Sequence, residues 1–198
     1  HTWKKDITIT LDKNGGLEDR KIKETLYNGA TSITVTMPEA TTREGYTFKG
    51  YGTSSTATSG TLEGKTRLVS IPVKENTATL YHTWTANSYT IKYDGNGSTG
   101  GSMTNSAHKF DTSKALTTNG YSKTGHTFAN WNTKADGTGT SYKNGETVLN
   151  LTSTASEIIT LYAQWSSKVY MITLNNRSAT LAGTSAVYLK YNEGVYLE

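Results

Sequence analysis

Short segments of alternating apolar and polar residues recur along the chain, and this alternation is typical of β-strands. Residues 7–11 read Ile-Thr-Ile-Thr-Leu, and residues 33–37 read Ile-Thr-Val-Thr-Met. A period of two residues places the apolar side chains on one buried face of a strand. The best helix candidate, residues 17–26, is highly charged and spaces its apolar residues poorly for one face. The pattern therefore predicts a β-rich fold with little helix.

The first half of the chain is repeated in the second half. Three blocks return in the same order and at nearly one offset, with residues 7–15, 45–51 and 79–84 matching residues 89–97, 125–131 and 160–165. Each copy is longer than a solenoid unit and can form a small module with its own core. The predicted strands lie at 7–11, 23–27, 45–51 and 78–84 in the first copy and at 89–93, 107–110, 125–131 and 158–165 in the second.

A third copy begins near Val169 and breaks off. Residues 170–176 repeat the opening pattern, and residues 190–192 match residues 109–111 at the same offset as before. The later blocks do not follow before Glu198. We therefore predict three domains: repeat module 1 at 1–86, repeat module 2 at 87–167 and the truncated start of module 3 at 168–198.

The connections between the copies are short. Residues 85–88 and 166–168 separate one copy from the next, and segments of this length do not act as flexible tethers. We expect tandem modules that lie nearly in line. The incomplete third module leaves unpaired strand edges, so residues 169–198 are expected either to be disordered or to pair with another molecule.

Composition supports β structure and excludes several classes of protein. Apolar residues make up 34% of the chain and charged residues 18%, and there is no cysteine. Without cysteine, disulfides, thiolate zinc sites and cysteine nucleophiles are impossible. No apolar run approaches the length that crosses a bilayer, so we expect no membrane insertion. No apolar signal-peptide core opens the sequence, which indicates a mature or excised fragment.

Charge and histidine spacing indicate neither a nucleic-acid partner nor a metal. The net charge of +4 is spread along the chain and lacks the clustered basic footprint of a nucleic-acid binder. No two of the four histidines have a zinc-ligand spacing. The other copy carries Ala163 and Tyr46 where His82 and His126 stand. We therefore interpret these two histidines as surface substitutions specific to one copy.

Carboxylates and turn motifs give weak signals for chemistry. Four carboxylates of the first copy could supply the acid and base of glycoside hydrolysis, namely Glu18, Asp19, Glu39 and Glu44. They have no counterparts in the second copy. The Asp-x-Asn-Gly motifs at 12–15 and 94–97 resemble the front of a calcium loop but lack its bidentate glutamate, so we interpret them as turns. We predict no catalytic residue, cofactor or metal.

The recurring aromatic residues could form either a core or a platform for carbohydrate. Tyr51 and Trp131 lie beside Gly-rich loops and are candidate ligand contacts by ring stacking, although recurrence also fits a core position for Trp131. Strand periodicity and recurrence in both copies predict that four other aromatic residues are structural core, namely Phe48, Trp84, Phe128 and Trp165.

The order of the motifs resembles a known family. A strand followed by Asp-x-Asn-Gly, then Gly-Tyr-Thr-Phe-x-x-(Tyr/Trp), then Leu-Tyr-Ala-x-Trp is similar to the Listeria–Bacteroides repeat, a group that includes the B repeat of internalin B. Residues 89–165 match best. The first copy departs from the pattern at Tyr51, where Trp is expected, and at His82 and Thr83, where Ala and Gln are expected.

The resemblance implies a β-grasp-like module, strung in tandem on secreted or wall-attached bacterial surface proteins. Such modules act as stalks, spacers or interaction surfaces and are not known as catalysts. We therefore expect a non-catalytic stalk with a role in adhesion or protein interaction. Its expected partner is a host or matrix protein or a glycan, with covalent wall attachment through parts of the parent protein outside this sequence.

Two alternatives remain open from the residues. Tyr- and Trp-containing Gly-rich loops favour a carbohydrate-binding accessory module of an extracellular enzyme. A hydrolase would require that the carboxylates of the first copy converge in one cleft, with the two catalytic carboxyl groups within about 10 Å of each other.

Overall fold

The structure is a computed structural model that describes residues 2–71, 75–175, 177 and 186–192. All regular elements in this part of the chain are β-strands, and none of its residues is helical. The prediction of a β-rich fold is confirmed. The best helix candidate, residues 17–26, falls largely within a strand. Most of the third copy after residue 175 lies outside the described residues.

The chain forms two compact units. The first comprises residues 1–89, 109–112 and 150–157, and the second comprises residues 90–108, 113–149 and 158–198. Two short segments that the sequence places in the second copy, 109–112 and 150–157, therefore belong to the first compact unit. The boundaries predicted from the repeats, at 86/87 and 167/168, remain a prediction.

Six strands of the first unit follow each other along the first copy: β1 (Lys4–Asp12), β2 (Arg20–Tyr27), β3 (Ser32–Thr36), β4 (Tyr46–Gly52), β5 (Thr66–Ser70) and β6 (Thr77–Ala86). Four of them form a sheet in the order β2-β1-β6-β4, and β3 pairs with β5. Strand β1 is parallel to β6 and antiparallel to β2, and β4 is antiparallel to β6. A parallel pair thus lies between two antiparallel neighbours.

The core of this unit follows the alternation in the sequence. Ile7, Ile9 and Leu11 on β1 are buried, whereas the threonines between them face away. Val35 and Val69 add buried side chains from the β3–β5 pair. Burying each such side chain stabilises the fold by about 1.5–3 kcal/mol.

The second copy contributes nine strands: β7 (Ser88–Asp94), β8 (Gly100–Gly101), β9 (Ser106–Lys109), β10 (Lys114–Ala115), β11 (Tyr121–Ser122), β12 (His126–Asn132), β13 (Ser141–Tyr142), β14 (Thr147–Val148) and β15 (Ile158–Ser167). The main sheet has the order β13-β12-β15-β7-β9. Strands β7 and β15 are parallel, and β12 and β15 are antiparallel. The opening, closing and aromatic strands therefore pair with each other as in the first copy, and β12 has the additional neighbour β13.

The third copy begins with a hairpin. Its strands are β16 (Val169–Thr173) and β17 (Ala186–Lys190), which pair antiparallel from Val169 opposite Lys190 to Thr173 opposite Ala186. The hairpin corresponds to β1 and β2 of the first copy and to β7 and β9 of the second. The truncated third module remains a prediction.

Candidate functional site

The Asp-x-Asn-Gly motif forms the same turn in both copies. The Asn14 backbone N–H donates to Oδ1 of Asp12 at 2.8 Å, and the Asn96 N–H donates to Oδ1 of Asp94 at 2.8 Å. Asn14 and Asn96 have φ of 43° and 45°, a left-handed conformation that asparagine tolerates better than most residues. The aspartates are therefore used to hold an Asx turn.

The asparagine side chain of each turn joins it to distant backbone. Nδ2 of Asn14 donates to the carbonyls of Ser55 and His82, both at 2.8 Å. Nδ2 of Asn96 donates in the same way to Ala135 at 2.8 Å and to Ala163 at 2.9 Å. One amide thus connects the turn, a loop and the closing strand.

The closing tryptophan completes this arrangement. Nε1 of Trp84 donates to the Lys13 carbonyl at 3.1 Å, and Nε1 of Trp165 donates to the Gly95 carbonyl at 2.9 Å. Each acceptor is the second residue of an Asp-x-Asn-Gly turn. The first and last motifs of the repeat therefore hydrogen-bond to each other.

A β-bulge decides which aromatic residues meet in each core. The pairing of β4 with β6 shifts register between Phe48 and Gly50, and that of β12 with β15 shifts between Phe128 and Asn130. In a regular strand, residues three apart face opposite sides. The extra residue instead brings Phe48 within 5.1 Å of Tyr51, and Phe128 within 5.0 Å of Trp131, between ring centroids.

Tyr51 and Trp131 are the most deeply buried aromatic residues of the two cores, each 0% exposed. A ring without an exposed face cannot stack against a sugar, so the geometry supplies no carbohydrate platform at these positions. Burial raises the pKa of the Tyr51 phenol to about 12. Its hydroxyl therefore stays protonated and donates to the carbonyls of Pro38 and Glu39, both at 3.1 Å.

The four aromatic residues predicted as core lie around these two and are half-buried: Phe48, Trp84, Phe128 and Trp165. Phe48 packs edge-on against Trp84 at 5.5 Å, and Phe128 packs edge-on against Trp165 at 5.8 Å. They contribute the outer part of each aromatic cluster, whereas its centre is the residue at position 51 or 131.

The interpretation of His82 as a surface substitution is wrong. Its side chain is 0% exposed and lies 4.9 Å from the ring of Tyr51 and 5.7 Å from that of Phe48. Neither ring nitrogen has a hydrogen-bond partner of normal geometry among the described residues. Burial lowers the pKa of the imidazole, and the Lys13 backbone opposes this shift only in part. His126, by contrast, is half-buried.

Acidification is expected to destabilise the first unit through His82. An unfolded histidine has a pKa of about 6.5, and the folded value is lower. Below about pH 6.5 the unfolded state therefore binds more protons, and the free energy of unfolding falls as the pH falls. Unit-resolved hydrogen exchange between about pH 7.5 and 5.5 measures this slope.

The control is His82→Ala, which installs the residue that Ala163 supplies in the second copy. This variant is expected to flatten the pH dependence of the first unit. Hydrogen exchange must be measured separately for the two units, because the buried His108 in the second unit also has a lowered pKa, chiefly through burial. An unchanged slope in the His82→Ala variant would contradict the assignment.

An aromatic residue from the next sequence copy packs on a glycine within the first unit. Phe110 lies against Gly45, where a Cβ atom would overlap the ring, and 5.8 Å from the ring of Tyr46. The Asn87 N–H donates to the Gly45 carbonyl and the Phe110 N–H donates to the Asn87 carbonyl, both at 2.8 Å. Glycine at position 45 is therefore required by its positive φ of 72° and by this close approach.

The same arrangement recurs within the second unit. Tyr191 packs on Gly125, where a Cβ atom would again overlap the ring, and 5.6 Å from the ring of His126. The Lys168 N–H donates to the Gly125 carbonyl at 2.8 Å, and the Tyr191 N–H donates to the Lys168 carbonyl at 2.9 Å. We call this contact, formed by Gly45 with Phe110 and by Gly125 with Tyr191, the glycine–aromatic contact.

Polar groups support the glycine–aromatic contact in the first unit. The hydroxyl of Tyr46 donates to Oδ2 of Asp111 at 2.7 Å, and Nδ2 of Asn150 donates to Oδ1 of the same carboxylate at 2.8 Å. Both hydrogen bonds lower the pKa of Asp111, and the one from Asn150 has the larger effect. The hydrogen bond to Asp111 also raises the pKa of Tyr46.

The four carboxylates considered for hydrolysis are all exposed: Glu18, Asp19, Glu39 and Glu44. Glu18 forms a surface ion pair with Arg20 at 3.6 Å. Within the described residues, no group of three or more acidic or histidine side chains could hold a metal ion. In the same part of the chain, no helix has the length and apolar character that crossing a membrane requires.

Comparison with known families explains the repeated construction. The Listeria-Bacteroides repeat domain matches residues 8–81 and again residues 89–164. The chain therefore belongs to this family, as its motifs predict, and contains two tandem copies of the domain. Members of the family are in general non-catalytic.

Two curated relatives come from Evansella cellulosilytica. One, provisionally named a membrane protein, is 31% identical over 164 residues, which cover 82% of this chain and 22% of the relative. The other, provisionally named a Gly-rich membrane protein, is 30% identical over 141 residues, which cover 70% of this chain and 16% of the relative. The chain thus spans about a fifth of the length of these relatives.

Proposed function

We propose that this chain is a non-catalytic repeat region of an extracellular or envelope-associated protein. Its family and the names of its two relatives support this location. In this role it is a spacer that holds other parts of a longer polypeptide away from the cell. The exposed strand faces are the surfaces through which it would adhere to a host or matrix molecule.

One observation carries the spacer proposal: the residues that recur in both copies are used for internal packing and hydrogen bonding. Asn14 and Asn96 join each turn to its closing strand, and Trp84 and Trp165 return a hydrogen bond to the turn. A module selected for ligand binding is expected to direct recurring polar groups toward an open surface instead.

The proposal also includes a β-grasp-like fold for each module and an in-line arrangement of the modules. The mixed order β2-β1-β6-β4, with a parallel pair between antiparallel neighbours, supports a β-grasp-like module. The short connections at 85–88 and 166–168 support tandem modules that lie in line with limited bending. A stiff series of modules is the property that a spacer needs.

Small-angle X-ray scattering of the whole chain tests this proposal. We expect an elongated particle whose maximum dimension does not change with protein concentration. In thermal unfolding, Gly45→Ala is expected to destabilise the first unit, because the added Cβ displaces the Phe110 ring. The matched control is Gly29→Ala, which has a similar φ of 74° but no atom within 4 Å of the added Cβ. A compact globule would contradict the spacer.

A further inference from the structure

A groove lies on the first unit where β1 and β2 meet the residues at the start of β6. Its volume is about 660 Å³, which is within the range of ligand sites in proteins. Side chains from all three segments line it, chiefly Asp6, Thr8, Lys23, Thr25, Tyr27 and Asn76. We call it the β1–β2 groove.

The alternation of the two strands explains why the β1–β2 groove is polar. On β1, Asp6 and Thr8 flank the buried Ile7, and on β2 the residues on either side of the buried Leu26 also line the groove. Successive side chains of a strand point to opposite faces, so these polar residues lie on the sheet face opposite the core. The pairing of Asp6 with Thr25 brings the two strands' polar groups together.

Hydrogen bonds hold the walls of the groove in place. Oγ1 of Thr25 donates to Oδ1 of Asp6 at 2.9 Å, and the second oxygen of this carboxylate can accept a hydrogen bond from a ligand. The Thr8 N–H donates to the Asn76 carbonyl at 2.8 Å, which fixes the residue before β6 against β1. A ligand that enters the groove therefore has to order few protein groups, and this favours binding.

The lining of the groove matches a ligand with many hydroxyl groups. Threonine hydroxyls and the Asn76 amide both donate and accept hydrogen bonds, whereas the Asp6 carboxylate only accepts them and the Lys23 ammonium only donates them. Each hydroxyl of a saccharide donates and accepts hydrogen bonds, so it can bond to any of these groups. Asp6 and Glu24 give the lining two carboxylates against one lysine, which disfavours an anionic ligand.

Tyr27 supplies an aromatic surface in the groove. Its side chain is 48% exposed, in contrast to Tyr51 and Trp131 at the centres of the cores. The C–H groups on one face of a sugar ring can pack against the negative face of an aromatic ring. Nζ of Lys4 lies 5.7 Å from the Tyr27 ring centroid, a contact that restrains the orientation of the ring.

We propose that the β1–β2 groove binds a neutral oligosaccharide. The ring of Tyr27 packs against one sugar, and Asp6 and Asn76 hydrogen-bond to its hydroxyl groups. This site names a ligand class for the adhesive part of the proposed function, on which it rests. The spacer part concerns the shape of the particle, so an elongated particle that binds no saccharide would overturn this site alone.

The test records backbone amide chemical shifts of the whole chain during titration with neutral trisaccharides. The probes are cellotriose, maltotriose, mannotriose and chitotriose. We expect saturable shifts with at least one of them at residues 4–8, 23–27 and 76–77. Sialyllactose, a trisaccharide that carries a carboxylate, is the charged comparison. It is expected to bind at least about tenfold more weakly, because the groove carries an excess of carboxylates.

Matched variants of the protein locate the site. Tyr27→Ala is expected to weaken binding at least about tenfold, because it removes the aromatic surface, whereas Tyr27→Phe keeps the ring and is expected to stay within about threefold. Asp6→Ala is expected to cost at least about tenfold through the lost charged acceptor. The control is Lys21→Ala, on the same face of β2 but opposite Thr10 and outside the groove. Its affinity is expected to stay within about twofold.

Circular dichroism confirms that each variant keeps the fold of the parent chain. The proposal is overturned if none of the neutral trisaccharides gives saturable shifts at millimolar concentration, or if the shifts are confined to residues outside the groove. Binding by Tyr27→Ala with the affinity of the parent chain would overturn it as well. Tighter binding of sialyllactose than of every neutral trisaccharide would assign the surface to an anionic ligand and also overturn it.

Discussion

Replacing Trp131 with alanine is expected to lower the free energy of unfolding of the second unit by about 3–5 kcal/mol. The side chain is 0% exposed and lies at the centre of the aromatic cluster. Its ring centroid is 4.9 Å from that of Tyr93, 5.0 Å from Phe128 and 6.4 Å from Tyr121. The substitution removes all three contacts and leaves a cavity that a rigid β-sheet fills poorly.

Chemical denaturation followed by near-ultraviolet circular dichroism measures this effect. The matched control is Trp3→Ala, because Trp3 is 54% exposed and a surface change of this kind costs within about 0.5 kcal/mol. Equal midpoints for the two variants would show that Trp131 is not the centre of the core.

The second large effect is expected for Asn96→Ala, at about 2–3 kcal/mol. The change removes the two side-chain hydrogen bonds to the carbonyls of Ala135 and Ala163, each contributing about 0.5–1.5 kcal/mol. It also places alanine at a φ of 45°, which costs roughly a further 1 kcal/mol. Thermal or chemical unfolding of the second unit reports the sum.

A second substitution at the same position separates the two causes. Asn96→Gly removes the hydrogen bonds but accepts the left-handed backbone, so it is expected to be more stable than Asn96→Ala by roughly 1 kcal/mol. The remaining difference from the parent chain measures the amide hydrogen bonds. If Asn96→Ala unfolds at the same denaturant concentration as the parent, the turn does not hold the closing strand.

Much of the architecture follows from local patterns. The alternation at 7–11 predicts β1, the opening pattern predicts β7 and β16, and residues 107–110 overlap β9. The repeated motifs also predict the family. A motif such as Asp-x-Asn-Gly can be recognised in the sequence because its turn is formed by only a few neighbouring residues. Properties of this kind need no knowledge of which distant segments meet.

The aromatic site depends on long-range pairing, and the sequence alone predicts it less well. A regular strand would place Tyr51 and Trp131 on the face opposite Phe48 and Phe128, which they follow by three positions. The bulge in each of the two strands reverses that expectation. In the first copy, Gly50 at a positive φ of 117° is a local signal of the bulge. The second copy has Asn130 at this position, and its bulge arises from pairing with a closing strand that is distant in the sequence.

His82 shows the same limit. Its counterpart Ala163 favours a surface interpretation when only residue types are compared, yet the first copy accommodates an imidazole beside Tyr51, where the second copy has the larger Trp131. In each copy, a larger side chain at one of these positions is matched by a smaller side chain at the other. A comparison of single positions does not show this.

The sequence by itself determined the β-rich class, the repeat and the family of this protein, because these depend on periodicity and on short motifs. Only the tertiary structure decided which aromatic residues lie at the centre of each core, that His82 is buried, and that Phe110 completes the first compact unit. These features depend on contacts between residues far apart in the chain, since burial is set by the partner segment and not by the residue alone.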